Sequence, residues 1–168
     1  MAPETPSGPQ ASPFCLERPA RQSAPFLFAS PHSGRRYPAS LLERSKLDST
    51  TLRRSEDAFV DELFAGVVGL GAPLLAAHFP RALLDVNRGM TELDTGMFNG
   101  ELGVPVDAPG PRVVAGLGVI PRIVRDGAEI YRGKLDSAEA RARLSQLYQP
   151  YHRALAELME ETYESFGV

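Results

Sequence analysis

Three short apolar runs, each breaking off into turn-forming or charged residues, constrain this chain more than anything else in it. PFLF at 25–28 gives way to ASPHSGRRYP, GAPLLAAHF at 71–79 stops at a proline, and RALLDVNRG at 81–89 passes from two leucines to Asp85, Asn87 and Arg88. Runs this short, bounded by Pro, Gly and Ser, are buried strands more readily than helices. The pattern predicts a strand at Phe26–Ala29, a second within 71–79 and a third strand or extended segment within 81–89. Chemically capable side chains gather where these runs end, as in sheets that present a site at their strand termini. His32, one of three histidines, sits in such a turn between Pro31 and Gly34, where it is presented rather than packed away.

Between the runs the period changes. Phe59, Val60, Leu63, Phe64, Val67 and Val68 recur at three- and four-residue intervals, predicting a heavily buried helix from Ser55 as N-cap to about Leu70, closed by Gly69 or Gly71. Asp57 falls on the edge of its apolar stripe and Asp61 one turn further on. Residues 89–112 have little periodicity and form a long loop, which in a domain is more often functional than idle. A strand over 113–124 and a hairpin around Asp126-Gly127 follow. The segment from Ser137 to Phe166 is helical, opened by Asp136 and Glu139 as a capping box. Pro150 kinks or divides it, and Tyr151, Leu155, Leu158, Thr162 and Phe166 share a stripe with a packed His152 at its edge. Residues 1–24, rich in Pro, Ser and Ala, read as a mobile arm, leaving 25–168 as a single domain. The alternation predicts an α/β fold with a mixed, largely parallel sheet flanked by helices.

Composition excludes several classes. With 168 residues, 43% hydrophobic and 23% charged, the chain can bury one core, and its net charge of −3 gives no broad positive field for nucleic acid. No apolar run is long enough to span a membrane. Its single cysteine, Cys15, excludes an intramolecular disulfide and a multi-cysteine zinc site. With no charged start and apolar core at the N-terminus, the expected setting is the cytoplasm.

Six segments, SPHSGRRYP, DAFVDELF, LLDVNR, GLGVIPR, EIYRGKL and QPYHRAL, resemble those of the N-formylglutamate amidohydrolases in order and approximate spacing, over roughly residues 25–166. The resemblance implies a three-layer α/β architecture like that of the zinc exopeptidases. It implies zinc as cofactor, with His32 as first ligand and Asp57, in preference to Asp61, as the carboxylate ligand. Arg35 stands where the wider group often has a glutamate ligand. The substrate implied is N-formyl-L-glutamate, cleaved to L-glutamate and formate in histidine catabolism, or a related N-acyl amino acid. The resemblance points to Asn87 and Arg88 for one substrate carboxylate, and Arg122 is the candidate for the second, since a guanidinium grips a carboxylate with two parallel bonds.

Zinc with three protein ligands and an open position supplies a strong nucleophile and a Lewis acid together. A later histidine and a glutamate serving the water complete the family's site, and nothing in residues 1–168 matches them, so the catalytic residues stay unassigned. The alternative reading is therefore a shortened, catalytically incomplete member acting as a binding module or as half of a split enzyme. The shortened sheet is expected to leave an open edge, covered by a complementing chain, by the N-terminal arm or by a homo-oligomer.

Overall fold

The computed structural model describes residues 12–167. Its central sheet has three strands in the order β1-β3-β2, formed by Phe14–Glu17 (β1), Phe28–Ser30 (β2) and Leu74–Ala77 (β3). β2 runs parallel to β3, with Phe28 opposite Leu74, whereas β1 is antiparallel to it, with Phe14 opposite Ala77. β3 is buried at every position, as its run of Leu and Ala requires of a central strand. A second, two-stranded parallel sheet joins Phe98–Asn99 (β4) to Leu135–Asp136 (β5). The helices are Ala39–Arg44 (α1), Ser49–Leu52 (α2), Val60–Phe64 (α3), Pro111–Val114 (α4), Ser137–Arg143 (α5) and Gln149–Phe166 (α6). No helix among the described residues is long and apolar enough to cross a membrane.

The core follows from the apolar runs. Leu75, Leu84, Val119, Ile120, Val124 and Ile130 are at most 1% exposed and meet Leu135, Tyr151 and Leu158 in one cluster. At about 1.5–3 kcal/mol for each fully buried large side chain, this cluster carries the main favourable contribution to folding.

The C-terminal helix starts as its sequence predicts. The Asp136 side chain accepts from the Ala138 amide, but Glu139 does not reach back to complete a capping box and instead pairs with Arg143 and Arg44. Ahead of Pro150 the chain widens into a π-helical turn over Leu144–Tyr148, which absorbs the hydrogen bond proline cannot make. Tyr151, Leu158 and Thr162 form the buried stripe with Ala154.

Further expectations are corrected. No strand forms over 113–124, where Pro111–Val114 is helical and Ile123 makes only an isolated bridge to Glu129. The strand placed at Phe26–Ala29 lies at Phe28–Ser30. Part of the stretch read as a mobile arm is β1, because Cys15 and Leu16 pair with Ala76 and Leu75; residues 1–11 lie outside the described residues. No strand forms at 81–89, where Arg81–Leu83 make a turn starting with the Leu83 amide on the Pro80 carbonyl. The long buried helix from Ser55 is also absent. Ser55 ends a 3₁₀ turn, Phe59 takes a left-handed φ of 63°, and only Val60–Phe64 is α-helical, continued by a 3₁₀ turn at Ala65–Val67. A bulky residue in the left-handed region interrupts helical geometry outright. Leu63 and Leu70 are consequently exposed rather than in the core.

The turn that carries His32 is fixed by close packing. Ser30 and Ser33 share a buried hydroxyl contact of 2.7 Å, the Arg36 amide donates to the His78 carbonyl, and Gly34 lies against the backbone of His78 and Phe79. A Cβ on Gly34 would meet the Phe79 carbonyl oxygen at 2.1 Å, so Gly34→Ala should destabilise the fold by about 3 kcal/mol through overpacking. Gly127→Ala, in an open turn with φ of 79°, should cost about 1 kcal/mol from backbone strain alone. Urea denaturation of the two variants checks the difference, and equal midpoints would contradict it.

Candidate functional site

His32 lies between two carboxylates. Its ring is almost wholly buried, with Nε2 2.8 Å from Asp85 Oδ1 and Nδ1 3.1 Å from Asp57 Oδ2. Backbone geometry fixes both partners, since the Asp57 amide donates to the His32 carbonyl and the Asn87 amide donates to Asp85 Oδ1. Asp85 is 1% exposed while the Asp57 side chain is 56% exposed. One carboxylate is thus a buried anchor and the other faces solvent.

Asp85 accepts further contacts from Arg81, whose Nε is 3.0 Å from Oδ2, and from Arg88, whose Nε is 3.8 Å away. Burial pushes its carboxyl upward, but the His32 hydrogen bond and charge, together with Arg81 and the Asn87 amide, outweigh it and hold Asp85 below the usual carboxylate range. An ionised Asp85 is an acceptor only, so His32 Nε2 carries the proton in this bond. In a neutral ring Nδ1 then turns its lone pair on Asp57. Two acceptors at 3.1 Å would repel, so a positive charge between them favours this geometry. That charge is a second ring proton, making an imidazolium flanked by two carboxylates, or a bound cation.

The loop carrying Asp85 is held from the other side by the C-terminal helices. Arg143 donates to the Leu83 carbonyl at 2.9 Å, His152 to Val86 at 2.8 Å, and Tyr148 to Arg88 at 2.8 Å. Tyr148 and His152 stack at 4.1 Å. These three side chains satisfy carbonyls that a strand partner would otherwise have taken, which is why an irregular segment is stable inside the protein.

Asp57 and Asp85 open onto a cleft of about 360 Å³, also lined by Arg54, Arg81, Glu56, Pro121, Ile123 and Arg125. Glu56 accepts from Tyr37 at 2.7 Å and pairs with Arg53 at 3.2 Å, so it fixes the turn before Asp57. Arg81 spends its Nε on Asp85, leaving its terminal nitrogens for the cleft. Arg88 is 11% exposed, and its Nε, although in ion-pair range of Asp85, is buried without a hydrogen bond.

The sequence-level candidates fare unequally. His32 and Asp57 meet directly, and Asn87 and Arg88 flank Asp85 through the Asn87 amide and the Arg88 guanidinium. Arg122 is turned away: Pro121 and Ile123 face the cleft beside Asp57, whereas Arg122 between them lines a separate cleft of about 420 Å³, 3.5 Å from Asp94 and 3.4 Å from Glu129. The backbone bends at Arg122 between Pro121 and Ile123. Asp61 pairs with Arg35 at 2.8 Å and makes no contact with His32. Sequence reasoning missed Asp85 and Arg81. Their signal was the four-residue interval between an acid and a base around two buried leucines.

No group of three potential metal-ligating side chains is found among the described residues. His32 and Asp57 are the donors available to a divalent cation, and Asp85 is placed to orient the imidazole from behind. Asp85→Asn should therefore lower stability at pH 7 by about 2–3 kcal/mol, by removing the charge that Arg81 and Arg88 face. Because the folded-state pKa of Asp85 is depressed, this stabilisation is present above the unfolded carboxylate value near 4 and is lost as pH falls through the folded value. Denaturant unfolding of both proteins at pH 7 and about pH 2.5 should show the difference shrinking in acid, and a constant difference would contradict it.

The chain is similar to known proteins along most of its length. Residues 24–168 match the N-formylglutamate amidohydrolase family. The chain is 31% identical over 153 residues to an N-formylglutamate deformylase of Pseudomonas aeruginosa, covering 88% of this chain and 50% of that protein. It is 26% identical over 145 residues to one of Pseudomonas putida, covering 85% and 48%. The crystal structure of an N-formylglutamate amidohydrolase from Ralstonia eutropha superposes with a TM-score of 0.85 at 38% identity, covering 94% of this chain and 55% of that one. The chain spans about half the length of the curated relatives it matches. The match across almost every described residue, in sequence and in fold, makes this chain a member of the N-formylglutamate amidohydrolase family.

Proposed function

We propose that this chain carries the metal-binding and substrate-binding half of an amidohydrolase that cleaves N-formyl-L-glutamate, or a related N-acyl amino acid, to the free amino acid and formate. The observation that carries the reading is the His32–Asp57 pair, a ring nitrogen and a carboxylate oxygen 3.1 Å apart, backed by a buried carboxylate on the other ring nitrogen. A carboxylate behind a metal-binding histidine is the usual device that fixes its tautomer and raises its basicity. The donor types suit zinc. His32 through Nδ1 and Asp57 through its carboxylate would hold it, with Asp85 orienting the ring. When bound, zinc supplies an activated water and polarises the amide carbonyl.

The chain's own residues account for substrate binding. N-formylglutamate carries two carboxylates; Arg54, Arg81 and Arg125 line the cleft, and Arg88 stands behind it beside Asp85. The buried, unsatisfied Nε of Arg88 suits an anion, and Asn87 beside it offers an amide donor on an exposed turn. Arg122 then serves the neighbouring cleft rather than the substrate. The mixed sheet with helices packed around it supports the three-layer, zinc-exopeptidase-like arrangement implied by the resemblance. A role in histidine breakdown in the cytoplasm is part of the same reading.

One observation favours a second reading: two metal donors, not three, stand together among the described residues. On that reading the chain is a binding module or one half of a split enzyme. The two are separated by measuring formate release from N-formyl-L-glutamate, with and without chelator, alongside calorimetric titration of the same compound. Chelator-sensitive turnover that falls about 100-fold or more in His32→Ala supports the hydrolase. Binding without turnover supports the incomplete form. Absence of both overturns both readings.

A further inference from the structure

The cleft of about 420 Å³ that Arg122 lines is larger than the one at Asp57 and takes no part in the site around His32. Its walls are cationic over an apolar floor. Lys46, Arg122, Arg132 and Lys134 stand there against two acids, Asp94 and Glu129, with Met97 and Tyr131 nearly buried beneath them. The Tyr131 hydroxyl is engaged by Arg143 and the Ala82 carbonyl, so what this residue offers the cleft is aromatic surface.

Both acids are already neutralised. Asp94 accepts from the Gly96 amide with one oxygen and lies 3.5 Å from Arg122 with the other. Glu129 faces Arg122 at 3.4 Å with one oxygen and Lys46 with the other, and Lys46 holds its carboxyl below the usual range. Arg132 and Lys134 remain. Both are exposed, and no acid among the described residues pairs with either. Glu43, which borders a smaller cleft on the other side of the same bend, makes no ion pair with them.

Two solvated cations on a loose loop would signify little, since most lysines and arginines are exposed. These two are held in place. The bend at Arg132–Lys134 is pinned at its ends by the buried Tyr131 and Leu135, and the Arg132 amide donates to the Arg44 carbonyl at 2.9 Å. A ligand therefore meets a backbone that is already ordered, which lowers the cost of binding. A guanidinium supplies paired donors and an ammonium a point charge, and the volume of the cleft is that of a small-molecule site.

We propose that this cleft is a second binding site, for a small dianion bearing carboxylate or phosphate groups, with Arg132 and Lys134 as its main anchors. Arg122 is the third, because its contacts at 3.4 and 3.5 Å are longer than charge-assisted hydrogen bonds and leave the guanidinium able to turn to the ligand. The proposal does not depend on the hydrolase reading. An occupant would lie behind the wall of the other cleft, since Pro121 and Ile123 flank Arg122 and line the side at Asp57.

Calorimetric titration of the chain with inorganic phosphate, and separately with succinate, at pH 7 and constant ionic strength tests this, because exposed charges are screened by salt. Saturable binding of at least one of the two is expected, and the tighter one identifies the anionic group the site prefers. Replacing both anchors, Arg132→Gln with Lys134→Gln at exposed positions, should weaken that binding about tenfold or more while leaving thermal unfolding unchanged. Arg125→Gln, at the cleft beside Asp57, should leave the affinity within about twofold of the parent. Binding of neither anion, undiminished affinity in the double variant, or a loss in Arg125→Gln as large as in the double variant would overturn the proposal, the last by placing the anion in the cleft at Asp57.

Discussion

A carboxylate with almost no exposure cannot stay ionised without partners, and Asp85 has acquired them from every direction. His32 and the Asn87 amide share one oxygen, and Arg81 and Arg88 approach the other. Desolvation of an unpaired ion would cost several kcal/mol, so the loop, the His32 turn and the arginines are bound into one arrangement. The consequence for chemistry is directional. With Nε2 committed to Asp85, the ring turns Nδ1 toward Asp57, whose side chain faces solvent at the cleft wall. The electrostatic demand of one buried group thereby sets the orientation of the His32 ring that touches it.

That arrangement depends on how irregular backbone is kept inside the protein. Residues 81–88 form turns, not a strand, and their carbonyls would be unsatisfied without help. Arg143, Tyr148 and His152 reach across from the last helices to Leu83, Arg88 and Val86. The π-helical turn before Pro150 is the local irregularity that lies between Arg143 and His152 and includes Tyr148. Helix, loop and site are therefore one mechanical unit, and substitutions in QPYHRAL should be felt at Asp85.

Some of this was legible in the residues. The runs before His32 and at Leu74–Ala77 declared themselves as strands because four apolar residues between Pro, Gly and Ser have little other use. His32 and Asp57 were paired by resemblance, and the geometry brings them together. Three things were not legible. β1 was hidden because Pro and Ser around Phe14–Leu16 mimic a disordered composition, while its stability comes from pairing with β3. The helix from Ser55 failed because periodicity does not register a left-handed Phe59. Arg122 lines a different cleft from Asp57, and the direction its side chain takes is invisible in the sequence until the local backbone path is known.

The central claim is that His32 presents Nδ1 to a cation shared with Asp57 while Asp85 holds the Nε2 proton. Imidazole ¹⁵N resonances of His32, recorded at pH 7 during zinc titration, read both nitrogens separately. The account predicts that Nδ1 shifts on zinc addition, that Nε2 stays protonated, and that the response is lost in Asp57→Ala. Zinc that leaves the His32 resonances unmoved, or that enters through Nε2 with loss of its proton, would contradict it.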